Sequence, residues 1–372
     1  MSTPTALLVG GAGGTGVLIA RGLERAGYRV TILHRGVHEP SEIACYEHIH
    51  ADPHFAEPMR LALANRTFDL VVLMYGRVRE LAEVFAGRCG RLLAVGGIPI
   101  YAGFLEPQSV SPAGMPLMAS ESAPLAPIER MRNPGAARFA DKLIEAEQAV
   151  LAQHYVGSYS ATLLRYPAVY GPLALSGAEA PVIRRIRRGR TQILVPFEGL
   201  FTITRCSTFN CAHALLTAVD CEAAAGRVFN CADDDQYTIG QWVEMILDEL
   251  QSDAEIVGLP TTLTWAAAHL VPLGGTTSPI AMVDARESHR LLGYKDSVPA
   301  REALARSVRW HLENASSEPD WGDQMDFHLE DQVIDRLKAF EASLEDIKRF
   351  APAVHPYPHP VKPGLGVDHR GR

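Results

Sequence analysis

Lysine is scarce in this chain. Only Lys142, Lys295, Lys338, Lys348 and Lys362 contribute to the 35 basic residues, and arginine supplies the rest. Positive charge is also outweighed overall, at a formal net charge of −8. No global positive field exists to hold a nucleic-acid backbone, so DNA binding is not expected. Long apolar runs are missing too. None approaches the roughly 18–20 residues of a membrane helix, so no membrane partner is expected. The N-terminal MSTPTALLVGG lacks a basic segment leading into a long apolar run, so no secretory leader is expected. The six cysteines, Cys45, Cys89, Cys206, Cys211, Cys221 and Cys231, form no CxxC pair and no zinc-type spacing. A reduced, cytoplasmic protein without a metal site is the expectation. No internal repeat is found.

What is present is ordinary for a globular protein: 372 residues, 47% hydrophobic and 21% charged. This excludes a disordered or collagen-like chain. One large domain, or two joined ones, is implied. Over the first half, short apolar runs (6–9, 30–33, 69–73, 92–95) and a third strand at 46–50 alternate with helical patterns (17–26, 55–64, 78–86, 136–153). Strands that are apolar without alternation are buried on both faces, as in a parallel sheet. The fold class read from this is α/β, a doubly wound parallel (Rossmann) sheet with a smaller C-terminal α/β substrate lobe. The dinucleotide domain is expected over 1–172, with 203–232 returning to it. The substrate lobe is expected over 173–313, and a C-terminal extension over 314–372. The extension combines a charged helix at 331–350 with a Pro/His-rich tail. His355 and His359 in that tail lack nearby acidic or cysteine partners, so a surface-docked tail is expected there, not a metal site. The stretch 99–134 carries many prolines and glycines and reads as a lid, a binding loop or an insertion.

The most informative segment is Val9-Gly10-Gly11-Ala12-Gly13-Gly14-Thr15-Gly16. It follows a strand pattern and opens a helix pattern. Glycines permit the tight turn and bring backbone close to a pyrophosphate, and the helix N-terminus offers free N–H groups to the anion. Gly10, Gly13, Gly14, Thr15 and Gly16 are therefore candidate cofactor-binding residues. The second strand ends in His34-Arg35, where an NAD-type site carries a carboxylate for the ribose. An arginine there suits a 2′-phosphate, so NADP is favoured, with NAD as the alternative. Asp52 stands where a carboxylate reaches the adenine, or else it caps a turn.

The glycine loop, His50-Ala51-Asp52, VGGIPIYAG (95–103), Lys142 and RYPAVYGP (165–172) occur in this order. Together they resemble the extended short-chain dehydrogenase/reductase superfamily, in particular its NAD-dependent epimerase/dehydratase group. GRVFNCAD, the Thr238-Ile239-Gly240 helix start and SHRLLGY extend the likeness to about residue 313. The resemblance implies hydride transfer at a nicotinamide, a tyrosine acid/base in a YxxxK pair, a lysine on the nicotinamide ribose, and a Ser/Thr that orients the substrate. It also implies a small-molecule substrate and a homodimer joined through the helices at 78–86 and 136–153.

Two of the three catalytic side chains are missing. Arg138 stands four residues before Lys142, and arginine does not exchange a proton near neutral pH. Gly96 and Gly97 occupy the Ser/Thr region. The chain thus resembles an atypical branch, such as the chloroplast stem-loop-binding-like members. Lys142 remains a catalytic and cofactor-binding candidate. Tyr101 is a candidate for the missing acid/base and for substrate contact, or a packing residue. Pro167 and Val169 are expected along the nicotinamide. Arg138, Tyr170 and Arg187 are substrate-binding candidates, Arg187 as part of the cluster Arg184, Arg185, Arg187, Arg188 and Arg190; a solvated helix face is the alternative for that cluster. The leading expectation is an NADP(H)-linked oxidoreductase acting on a small carbonyl or alcohol. The rivals are a nucleotide-sugar epimerase or dehydratase with bound NAD, and a non-catalytic dinucleotide-sensing or RNA-binding protein.

Overall fold

The computed structural model describes residues 3–74, 76–174, 178–271, 278–314 and 325–349. The chain begins β1 (Thr5–Val9), α1 (Gly14–Arg25), β2 (Arg29–His34), β3 (Glu47–His50), α2 (Ala56–Leu63), β4 (Phe68–Leu73), α3 (Val78–Val84), β5 (Cys89–Gly97). It continues α4 (Pro134–Tyr155), β6 (Ser160–Tyr166), β7 (Ala168–Tyr170), α5 (Glu179–Arg187), β8 (Gln192–Pro196), β9 (Thr202–Ile203), β10 (Arg205–Ser207), α6 (Thr208–Val219) and β11 (Arg227–Asn230). Then come α7 (Ile239–Glu249), β12 (Glu255–Leu259), β13 (Ile280–Ala281), α8 (Arg286–Leu292), α9 (Ala300–Asn314) and α10 (Phe327–Ala342).

Seven strands form one parallel sheet in the order β11-β6-β5-β4-β1-β2-β3. The chain winds outward from β1 through β2 to β3, then returns to β4 on the other side of β1. That reversal creates a crevice at the carboxyl ends of β1 and β4. The apolar strands serve two cores at once. Ala6, Leu8, Ile32, Leu70, Val72 and Leu93 pack on one face with α1 and α6. Leu7, Val9, Leu33, Val71, Leu73 and Leu92 pack on the other. Residues that alternate faces are thus all buried, which is why the strands read as unbroken apolar runs. α1 and α6 approach closely at Gly22, where a Cβ would lie 2.2 Å from Leu216 Cδ1.

A third core carries Trp242, Ile246, Ile193, Val195, Phe201 and Leu304 from the C-terminal half. The stretch 99–134 belongs to it. Tyr101, Phe104, Leu105 and Met115 are buried there. The segment is also stitched down by backbone bonds, Ala126 N to Ile100 O at 2.8 Å and Ala102 N to Pro124 O at 2.9 Å. The stretch is therefore a packed wall whose irregular backbone is satisfied locally. It ends at an N-cap: Asn133 Oδ1 accepts from Gly135 N and Ala136 N, and Pro134 opens α4.

Compact packing runs over Met1–Met325, with Asp326–Arg372 as a separate unit. In the second unit, Asp326 caps α10 by accepting from Leu329 N. The helix expected over 331–350 starts earlier for that reason. The Pro/His-rich tail, with His355 and His359, lies outside the described residues. Among the described residues no helix is long and apolar enough to cross a membrane.

Candidate functional site

The turn between β1 and α1 is built from glycine because nothing else fits. Gly10 has a φ of +93°. A Cβ on Gly16 would lie 2.6 Å from the Gly11 backbone, and one on Gly14 would lie 2.2 Å from Pro172 O. Gly13 differs, since a Cβ there would meet nothing within 4 Å. Gly13 is also the N-cap of α1, with no side-chain cap and no acidic residue in the first turn. The helix therefore presents free N–H groups and its positive dipole end to an open concavity. Beside it, Thr208 is buried, its Oγ1 has no partner, and its methyl lies 3.0 Å from a Cβ built on Gly14. Open space at Gly13, uncapped N–H groups and an orphan hydroxyl fit the pyrophosphate of a dinucleotide. Thr15 is half-buried in the first turn.

The carboxyl end of β2 carries no carboxylate. His34 is buried, and its Nδ1 accepts from Gly36 N at 3.1 Å. Its Nε2 lies 2.7 Å from His48 Nδ1. Burial, then the neighbouring His48, lower its pKa. His34 is thus engaged with β3, and Arg35 is the exposed residue beside it. Asp52 Oδ1 accepts from His54 N at 3.0 Å and lies 2.7 Å from His54 Nδ1. The His54 backbone N–H, then its ring, hold that carboxylate below its ordinary value. The turn-capping alternative for Asp52 is therefore satisfied in the structure.

At the carboxyl ends of β5, β6 and β11, Gly96, Arg165 and Asn230 stand side by side in register. Arg165 makes two parallel bonds to Glu147 of α4, Nε to Oε1 at 2.8 Å and Nη2 to Oε2 at 2.7 Å. Burial opposes the arginine's charge, but Glu147 overrides it and its pKa is raised. A Cβ on Gly96 would lie 3.1 Å from Glu147 Oε1. A side chain at Gly96 would therefore crowd the Glu147 carboxylate.

Tyr101 completes this group. It accepts from Arg165 Nη1 at 2.7 Å, donates to Asn230 Oδ1 at 2.6 Å, and has no solvent exposure. Burial raises its pKa further from the useful range. Both hydrogen-bonding roles are filled, an arrangement that matches the packing-residue alternative for Tyr101. Glu121 sits over the same edge. Its Oε1 accepts from Asn230 N at 2.8 Å, and burial raises its carboxyl above the ordinary value.

On α4, Lys142 and Arg138 are both exposed. Glu147 faces inward, and one and two turns before it stand Leu143, half-buried, and Phe139, at 40% exposure. Arg138 lies nine residues before Glu147, about two and a half turns at 3.6 per turn, hence on the opposite side of the helix. Leu143 and Phe139 thus share the side of α4 that carries Glu147, whereas Arg138 does not.

Pro167 and Val169 are half-buried between β6 and β10. Tyr170 is buried, donates to Asp233 Oδ2 at 2.6 Å, and packs edge-on against Trp242. Its hydroxyl is thus engaged in the lobe interior. The arginine run divides. Arg185 is buried and bonds Pro181 O, whereas Arg187 is exposed and bonds Leu312 O of α9 at 2.8 Å. Arg187 ties α5 to α9, and the two arginines do not share one basic face.

No family model matches the chain. Solved structures do. A UDP-glucose 4-epimerase from Thermotoga maritima, crystallised with UDP-glucose, superposes with a TM-score of 0.66 at 16% identity, over 84% of this chain and 99% of that one. A dTDP-glucose 4,6-dehydratase from Bacillus anthracis, in complex with NAD, gives 0.64 at 15% identity over 84% and 98%. This chain has the epimerase/dehydratase fold. Two curated relatives match part of the sequence. One is an uncharacterized protein of Sinorhizobium fredii, 28% identical over 192 residues, 46% of this chain and 53% of the relative. The other is a UDP-N-acetyl-alpha-D-glucosaminuronate decarboxylase of Bacillus cytotoxicus, 27% identical over 157 residues, 41% and 46%. The chain spans about half the length of these curated relatives.

Within the epimerase/dehydratase fold, several residues of this edge escaped the sequence reading. Glu147 had a signal: it falls on the stripe of Ala140, Leu143, Ile144 and Val150, and a carboxylate on an apolar stripe needs a buried partner. Arg165 was visible in RYP, but its partner lies 18 residues away. Asn230 and Glu121 carried no local signal.

Proposed function

We propose that this chain is a nicotinamide-dinucleotide enzyme of the epimerase/dehydratase type, acting on a nucleotide-sugar or related carbonyl or alcohol substrate. The observation that carries it is the open, uncapped N-terminus of α1 at the switch point of the sheet, where Gly13 faces open space while Gly11, Gly14 and Gly16 are packed. Gly13, Gly14, Thr15 and the Thr208 hydroxyl hold the pyrophosphate in this reading. The missing carboxylate on β2 and the exposed Arg35 support NADP(H) over NAD. When bound, the nicotinamide supplies hydride transfer. The chain's part is to orient the substrate at the carboxyl ends of β5, β6 and β11 and to move a proton there. Glu121 is the acid/base candidate that this edge offers, since burial keeps its proton to higher pH.

The test is titration of pure protein with NADPH and NADH, followed by nicotinamide fluorescence. Tighter NADPH binding is expected, and Arg35→Asp should remove the preference. Failure of either nucleotide to bind at sub-millimolar concentration overturns the reading. The apolar inward stripe of α4 favours one second reading, a dinucleotide-binding protein without turnover. In that case binding survives, but Glu121→Gln changes no measurable reaction.

A further inference from the structure

One group of side chains plays no part in the function proposed above. His34 from the end of β2, His48 and His50 from β3, and Glu39 from the intervening loop offer ligand atoms that all lie within 4.8 Å of one another. The strands create this grouping. His48 and His50 are two apart on β3, so their side chains leave the same face. The register pairs His34 with His50, which brings the third ring beside them. His34 lies 5.0 Å, centroid to centroid, from each of the other rings. Glu39 is drawn over the rings, its Oε1 2.7 Å from His50 Nε2 and 3.4 Å from His34 Nε2.

We propose that this cluster is a binding site for a divalent transition metal of the zinc type. The chemistry of the donors selects the class: imidazoles with one carboxylate suit zinc and its neighbours, whereas calcium and magnesium prefer all-oxygen sites. Zinc–nitrogen bonds of about 2.0–2.1 Å put tetrahedral neighbours about 3.3 Å apart, within the spread seen here. The surroundings orient the ligands. His48 Nε2 lies 3.0 Å from the Ile43 carbonyl, which can only accept, so the ring proton sits there and Nδ1 keeps its lone pair facing the cluster. His34 has the opposite arrangement. Gly36 N–H occupies its Nδ1, so its Nε2 carries the proton and donates to His48 Nδ1 at 2.7 Å, a bond that a metal on His48 would displace onto Glu39 Oε1, now 3.4 Å away. We therefore assign His48, His50 and Glu39 as ligands, with His34 a positioning residue that steadies Glu39 and a fourth coordination position left open.

The site stands at the end of β2 and does not depend on the cofactor reading. Its test uses untagged full-length protein, stripped with a chelator and titrated with zinc against a chromophoric competitor. The wild type is expected to bind one equivalent that the His48→Ala/His50→Ala double variant lacks. Comparing the two cancels any metal taken by His355 and His359. His34→Ala should weaken binding about 10–100-fold, as for other groups that orient ligands. Cobalt in place of zinc should give visible absorption that the double variant loses. His50 is 57% exposed, and the variants' metal-free melting curves and circular dichroism show whether they remain folded. Equal zinc binding by the folded double variant and the wild type overturns the proposal. So does a metal-free wild type that competes for no zinc.

Discussion

Arg165 and Glu147 meet through two parallel hydrogen bonds, with 4% and 7% of their side chains exposed. The pair joins β6 to α4 beside the carboxyl ends of β5 and β11. A buried charge that loses its partner is left uncompensated. Glu147→Ala should therefore cost roughly 3–5 kcal/mol, while a Glu147→Leu/Arg165→Met double change should cost clearly less. Urea denaturation of these two variants and of Arg165→Met alone measures this. A double-variant loss equal to the sum of the two single losses would show that the pair is not coupled.

Tyr101→Phe separates a wall residue from an acid/base. The variant strands Asn230 Oδ1 and one arginine N–H, so stability should fall by about 1–2 kcal/mol. Cofactor affinity should be unchanged. A loss of turnover by several orders of magnitude with intact stability would restore Tyr101 to the chemistry.

The glycine loop makes opposite predictions at neighbouring positions. Gly13→Ala meets no atom and has a permissible backbone, φ −90°, so folding should be unaffected while dinucleotide binding weakens by tenfold or more. Gly16→Ala would drive a methyl into the Gly11 backbone at 2.6 Å, so the melting temperature itself should fall. Calorimetry and nucleotide titration on both variants check the contrast.

Asp233 predicts a pH dependence. Burial pushes its carboxyl up to about 6 from 3.8, despite donors from Tyr170, Asn210 and Ser207. An acid with a raised folded pKa favours folding below its unfolded value, and that contribution is lost as pH rises through the folded pKa. The shift corresponds to on the order of 3 kcal/mol. The unfolding free energy of the wild type relative to Asp233→Asn should therefore fall between about pH 4 and pH 6 and stay level above. A difference that rises over that interval would refute the raised carboxyl.

The sheet strands and flanking helices were legible because burial on both faces makes a strand continuously apolar, and an amphipathic helix repeats every 3.6 residues. The phosphate loop was legible because backbone geometry alone demands its glycines, and that demand is local. The edge at the carboxyl ends of β5, β6 and β11 was not. Arg165, Glu147, Tyr101 and Asn230 come from β6, α4, the 99–134 stretch and β11, and only strand order and register bring them together. The same holds for the histidines. His48-Ile49-His50 is a readable pair, but His34 and Glu39 join it only because β2 and β3 are neighbours.

The sequence by itself determined an α/β chain with a dinucleotide loop, since both follow from short-range periodicity and steric need. The tertiary structure alone decided that Glu147 pairs with Arg165 beside Gly96, that Tyr101 is sealed, and that four scattered residues form one cluster. Those outcomes depend on side chains meeting across distant segments, where burial and pairing settle which groups remain available.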